Sequence, residues 1–218
     1  MTLSALFSLC LSVPYRQTGV SANYAYKRIG DTLYLFFEHS VGGNDWKHNL
    51  DFPAKPYKRM GKTVWFAHRG FLNAWKHLQP VLEKEIADKS VHRIVTAGYS
   101  HGGALALLCH EYVWYHRPDL RSRIEGYGFG CPRVLWGIKS KSVRARWQRF
   151  TIIRNLDDIV THLPPAVLGY THVGKMLKIG KRGKYSATQA HYAENIAKEL
   201  QLYENGVQIP AAPLTLLS

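Results

Sequence analysis

Apolar residues fall along this chain in two spacings, one suited to strands and one to helices, and the two take turns. Short β-prone runs at Tyr24 to Arg28, Thr32 to Glu38, Thr63 to Ala67, Val91 to Ala97, Ile124 to Gly130, Phe150 to Asn155 and His172 to Ile179 predict strands. The first two flank Ile29-Gly30-Asp31, a turn signal that predicts a hairpin. Helical patterns separate the later runs. Phe71, Trp75, Leu78, Leu82 and Ile86 share one face of a helix predicted from His68 to about Lys89, and their spacing marks them as core. A second helix continues from Ala104 to Arg117, where Pro118 stops it. A basic helical stretch precedes Phe150, a closing helix is predicted from Ser186 to Glu204, and the opening MTLSALFSLCLSVPY predicts a short helix packed on the domain. The stretch from Ser40 to Ala67 has glycines, prolines and weak periodicity, and predicts an excursion over the surface that ends in the short Thr63 to Ala67 run. Strands alternating with helices predict an α/β class: a mostly parallel central sheet with helices on both faces and an antiparallel hairpin at one side. With no repeat or linker, residues 1–218 read as one domain.

Composition adds a globular core, at 46% hydrophobic residues, and a formal charge of +14 that attracts anionic partners. Lys139, Lys141, Arg144, Arg146 and Arg149 form one basic run; Lys175, Lys178, Lys181, Arg182 and Lys184 form another. Neither carries a nucleic-acid motif, so no nucleic-acid partner is expected, and a solvated basic face explains them as well as a binding site does. Cys10, Cys109 and Cys131 make an odd count without metal-ligand spacing, which argues against a disulfide framework; Cys109, on a predicted helix, and Cys131, just after a strand, read as buried thiols. No stretch has the length of a membrane span. No basic side chain precedes the apolar start, so a cytoplasmic location is expected, with secretion left open.

The most informative stretch is VHRIVTAGYSHGGALALLCH, Val91 to His110. A β-prone run, a glycine-flanked serine and a helix-forming run follow one another with only Gly98 to Gly103 between them. Such a turn lifts Ser100 above the carboxyl end of the strand in a strained conformation, and the flanking glycines admit the close approach of strand and helix. A serine hydroxyl needs a base, and the base needs an orienting acid. Asp158 and its neighbour Asp157 both follow a strand end on the same carboxyl edge. His191, after the final strand, completes the chain order Ser, Asp, His found in α/β-hydrolases; His162 and His172 are its rivals among eleven histidines. The backbone N–H of His101, just after the serine, is placed to stabilise an oxyanion.

At these residues the chain resembles the class 3 lipases, the fungal-type branch of the α/β-hydrolases, from about Tyr24 to His191. GYSHGGALA resembles the family's nucleophile segment, GFGCPRV its next strand, NLDDIVTHLPP its acid loop and AHYAENI its histidine segment. HRGF at His68 and YTHVG at Tyr170 resemble structural landmarks. The resemblance implies Ser100 as nucleophile, Asp158 rather than Asp157 as acid, and His191 as base. It maps Ser40 to the second oxyanion donor, although Glu38 and His39 stand where the family has arginine and glycine. It places a lid at Val41 to Met60, where Trp46, Phe52 and Tyr57 are candidates for lipid contact; Trp46 and Tyr99 are the expected substrate-binding residues. A brief, proline-pinned lid implies limited interfacial activation and a preference for shorter or more accessible acyl esters. The implied activity is hydrolysis of acylglycerol or related lipid esters without a cofactor or metal. Phospholipids, other acyl esters or thioesters are the alternative substrates, and a weakly active or inactive protein holding anionic membrane or nucleic acid is the alternative class. Peripheral association with anionic bilayers through the basic runs is the expected partner interaction beyond substrate.

Overall fold

The structure, a computed structural model, describes residues 1–18, 22–39, 53–59, 62–137, 140–207 and 215–216. Within them the chain runs α1 (Leu3–Ser12), β1 (Tyr24–Ile29), β2 (Thr32–Phe37), β3 (Ala54–Arg59), β4 (Lys62–His68), α2 (Arg69–Ala87), β5 (Arg93–Tyr99) and α3 (His101–His116). It continues through β6 (Ile124–Phe129), β7 (Leu135–Trp136), α4 (Lys141–Arg144), β8 (Phe150–Asn155), β9 (Tyr170–Thr171), β10 (Lys175–Ile179), α5 (Ala193–Glu204) and β11 (Thr215–Leu216). The main sheet has the order β1-β2-β5-β6-β8-β10-β11. From β2 to β10 its strands are parallel, while β1 and β11 add antiparallel edges.

Successive side chains of a strand point to opposite faces, so one sheet serves two cores. On β2, Leu33, Leu35 and Phe37 enter one core and Phe36 the other; β8 separates Ile152 from Ile153 in the same way. One face is covered by α2 and α3, the other by α1 and α5. The helical spacing read in α2 holds, with Phe71, Trp75, Leu78, Leu82 and Ile86 all buried. Each such burial contributes roughly 1.5–3 kcal/mol. Helix α3 is buried continuously from His101 to Val113 because it lies between the sheet and α2. Its start presses on the strand ends more closely than a side chain permits. A Cβ on Gly98 would lie 2.2 Å from the Gly102 carbonyl, and one on Gly102 would lie 2.1 Å from the Phe37 carbonyl oxygen. The three cysteines are free and buried, and among the described residues no helix is long and apolar enough to cross a membrane.

Several expectations change. The surface excursion contains a strand: β3 pairs antiparallel with β4, and β4, β7 and β9 complete a second, four-stranded sheet. Pro56 and three basic residues hide β3 from pattern reading, and an edge strand tolerates that proline. Tyr57 is therefore not a lipid contact; it is buried and stacked on Trp65 at 4.2 Å. Phe52, like the whole of 41–52 in the expected lid, lies outside the described residues. β10 begins at Lys175 rather than His172, because Gly174 turns the chain at φ 87 against the Phe150 carbonyl. The final helix starts at Ala193 rather than Ser186, since Tyr192 is extended and a separate turn, Gln189–His191, precedes it.

The first basic run is less a solvated face than a set of ties. Arg144 donates to the His172 carbonyl at 3.2 Å, Arg146 pairs with the fully buried Glu111 at 2.6 Å, and Arg149 donates to the Ile124 carbonyl at 2.9 Å. Lys139 lies outside the described residues. In the second run, Lys184 pairs with buried Glu199, while Lys178, Lys181 and Arg182 are exposed.

The close approach at Gly98 predicts that Gly98→Ala lowers stability by about 3 kcal/mol or more. Gly30→Ala, at φ 60 with open space around it, is expected to cost only about 1–2 kcal/mol; paired urea melts measure the difference. Burial also lowers the imidazole pKa of His110 and of His172 from 6.5 to about 3. Between those values the unfolded chain binds more protons than the folded one, so stability present above pH 6.5 is lost as pH falls toward 3. Urea midpoints are expected to fall across that window, and less steeply in His172→Gln.

Candidate active site

Strand β5 ends at Tyr99 and α3 begins at His101, which leaves Ser100 alone in the turn. Its backbone, at φ 54 and ψ −118, is the single positive-φ conformation of a non-glycine among the described residues. A conformation of this kind costs on the order of 1–3 kcal/mol and persists only where surroundings over-determine it. Here the Ser100 N–H donates to the Phe129 carbonyl at 2.8 Å, and the Ser100 carbonyl accepts from the Gly103 N–H at 3.0 Å. The side chain is thereby held above the strand end, at the amino-terminal, electropositive end of a 16-residue helix.

Two loops bring the remaining groups to it. His191 Nε2 lies 2.9 Å from Ser100 Oγ, and His191 Nδ1 lies 2.9 Å from Asp158 Oδ2. A carboxylate only accepts, so Nδ1–H donates to Asp158 and Nε2 is left to accept the serine proton. Asp158 is fully buried, and its other oxygen accepts the Val160 N–H at 2.8 Å. Thr161 Oγ1 donates to the Asp158 carbonyl at 2.8 Å, fixing the turn that carries it.

Three residues that pattern reading did not single out for this role fix the imidazole. A Cβ on Gly130 would lie 2.8 Å from His191 Cε1 and 3.0 Å from Asp158 Oδ2, so only glycine leaves room for the pair. Its signal in the sequence was the glycine after the β6 run in GFGCPRV. Asn155 Nδ2 donates to the Ala190 carbonyl at 2.9 Å. Tyr99, an expected substrate contact, is 7% exposed; its hydroxyl donates to the His191 carbonyl at 2.6 Å and its ring stacks on the imidazole at 5.1 Å. Burial, then the nearby Asp158, pushes the Tyr99 pKa up, so the phenol stays a donor.

The rivals are engaged elsewhere. Asp157 accepts the Gly183 N–H at 2.6 Å. His172 Nε2 donates to the Thr161 carbonyl at 2.7 Å, and His162 offers its carbonyl to Arg133. His68 caps α2, its Nδ1 accepting the Gly70 N–H at 3.2 Å. His101 opens α3, so its N–H belongs to the first turn, where the helix's own ladder does not reach back. Ser40 and Trp46 lie outside the described residues. Of the two departures beside Ser40, Glu38 accepts from Asn23 Nδ2 at 2.6 Å, and the His39 ring sits 5.3 Å from that of Tyr99. Burial lowers the His39 pKa, with Glu38 opposing the shift. Among the described residues no three His, Cys, Asp or Glu side chains are grouped as metal ligands.

Comparison with known proteins places the chain in a family. A lipase of Rhizomucor miehei is 30% identical over 149 residues, which are 66% of this chain and 40% of that protein. A secreted mono- and diacylglycerol lipase of Fusarium solani is 27% identical over 165 residues, 74% of this chain and 48% of that protein. The chain thus spans under half the length of these curated relatives. The solved structure of Rhizomucor miehei triacylglyceride lipase superposes with a TM-score of 0.61 at 26% identity, over 78% of this chain and 66% of that one. It shares the α/β-hydrolase fold, with its mostly parallel sheet and flanking helices. The family model for lipase (class 3) matches residues 34–168, and the chain belongs to the class 3 lipase family.

Proposed function

We infer that this chain hydrolyses carboxylic esters of acylglycerols or related lipids through an acyl-enzyme on Ser100. The observation that carries the reading is the unbroken hydrogen-bonded line from Ser100 Oγ through His191 to Asp158, with both separations at 2.9 Å. His191 Nε2 takes the hydroxyl proton as Oγ attacks the ester carbonyl, and Asp158 stabilises the imidazolium that forms. The imidazolium then protonates the departing alcohol. Water, deprotonated by the same nitrogen, releases the fatty acid and restores the serine. The His101 N–H, with Ser40 as its partner from the family pattern, receives the oxyanion; one such donor contributes roughly 3 kcal/mol. The acylglycerol class is supported by the relatives' names, and a phospholipid or another acyl ester remains within the same mechanism. Exposed Lys178, Lys181 and Arg182 support peripheral attraction to anionic bilayers.

Hydrolysis of chromogenic esters of graded chain length, followed by mono-, di- and triacylglycerols and phospholipids, tests the reaction and then its substrate. Ser100→Ala is expected to remain folded and to lose at least about 10⁴-fold in kcat. Fluorophosphonate labelling is expected to be stoichiometric in the parent and absent from that variant. Asp158→Asn is expected to lose roughly 10⁴-fold and Asp157→Asn to stay within about twofold of the parent. The reverse result assigns the acid to Asp157. Gly130→Ala displaces both His191 and Asp158, and is expected to lower kcat by about 100-fold with KM little changed.

A further inference from the structure

At the opposite end of the sheet from Ser100, where β6 and β8 begin, the middle of α3 and the segment after α4 line a half-open cavity of about 400 Å³. The volume falls in the roughly 300–1,000 Å³ range of small-molecule sites. Three guanidiniums line it, those of Arg121, Arg146 and Arg149, beside His110 and Trp114, and no carboxylate is among its lining residues. The arginines are held in place without exhausting their donors. Arg121 lies 3.9 Å over the Trp114 ring and uses Nε on the Trp114 carbonyl. Arg149 uses Nε on Ile124 and Nη2 on Glu125; Arg146 uses Nη1 on Glu111, while its buried Nε–H makes no hydrogen bond. Glu125 also meets Arg93, so Arg93, Arg146 and Arg149 share two carboxylates while Arg121 meets none, and the locality is net positive.

His110 supplies the second, independent observation. Its side chain is fully buried against Gly126 and Phe150, and neither ring nitrogen makes a hydrogen bond of normal geometry. The carbonyls of Glu125 and Arg146 lie near the ring without meeting hydrogen-bond geometry, so this buried imidazole is incompletely satisfied, a condition that calls for a partner. Burial, together with Arg149, keeps the ring neutral, against a partial offset from nearby backbone carbonyls of Glu125 and Arg146. A neutral imidazole and guanidiniums present N–H donors to an anion, and guanidiniums match phosphate oxygens in pairs. We propose that this cavity binds a phosphomonoester, its phosphate held by Arg121, Arg146 and Arg149 with His110, and its organic part against Trp114 and Ile124. The phosphate belongs either to a small soluble molecule or to a lipid headgroup of the phosphatidate type. This site is independent of the triad, so its failure and that of the hydrolase reading are separable.

Calorimetric titration of the full chain with glycerol 3-phosphate at constant ionic strength, alongside imidazole nitrogen spectra, tests the site. The expected result is saturable 1:1 binding that moves the His110 resonances and is retained in Ser100→Ala. The double variant Arg121→Ala/Arg149→Ala alters two exposed side chains; it is expected to weaken binding at least tenfold at unchanged esterase activity, which shows that the fold is retained despite the lost Arg149 ties. His110→Gln is the companion variant, and the double variant decides the matter if His110→Gln does not fold. Non-saturable binding, unmoved His110 resonances or parental affinity in the double variant overturns the proposal. Vesicles of phosphatidylcholine with phosphatidate, or with phosphatidylglycerol, identify the source. Displacement of glycerol 3-phosphate by phosphatidate vesicles alone assigns a lipid headgroup, and its retention beside them assigns a soluble phosphomonoester.

Discussion

The approach of α3 to the carboxyl ends of β2 and β5 is closer than any side chain allows, and the site takes its shape from that contact. Gly98 and Gly102 meet where a Cβ on either would fall about 2 Å from backbone atoms of the other elements. The helix therefore starts immediately after Ser100, which is forced to φ 54 and has nowhere to point but outward. Interior packing is what holds this strained turn. Helix α3 is buried on nearly every side, so relaxing the serine backbone would require moving the element at the centre of the larger core.

Precision at the imidazole comes from a different source. His191 belongs to no long element; it ends a single turn before α5, and its position is set by groups from three strand ends. Tyr99 holds its carbonyl and one ring face, Asn155 holds the preceding carbonyl, and Asp158 holds Nδ1. Gly130 contributes by absence, leaving the volume that His191 and Asp158 occupy. Three parallel strands thus converge on one loop residue and hold its ring within 2.9 Å of Ser100 Oγ.

The charge of the chain is divided in the fold between structure and surface. Arg117 is 2% exposed and donates to the carbonyls of Ile86, Asp88 and Val91, closing the end of α3 onto the loop after α2. Arg144 and Arg146 make comparable ties across the segment before β8. Guanidinium suits this work because it binds several acceptors at fixed angles while remaining charged. The net charge thus overstates the freely solvated positive surface, and the exposed cations are left in particular places.

Sequence alone determined the alternation of strands and helices, the core face of α2, the elbow at Ser100 and the order of Ser, Asp and His. Each of these is a local pattern or an order along the chain, which a period of two or 3.6 and a glycine-flanked turn express directly. The tertiary structure decided what depends on neighbours distant in sequence. It made a strand of Ala54 to Arg59, whose partner β4 is what pairs it, and it turned Tyr57 inward to Trp65. It set the Tyr99 hydroxyl on the His191 carbonyl, and it tied Asp157 to Gly183 while bringing Asp158 to the imidazole. Adjacent aspartates are alike in composition and nearly alike in position; only the path of the loop, fixed by hydrogen bonds to Val160 and Thr161, sends one inward and the other to the surface.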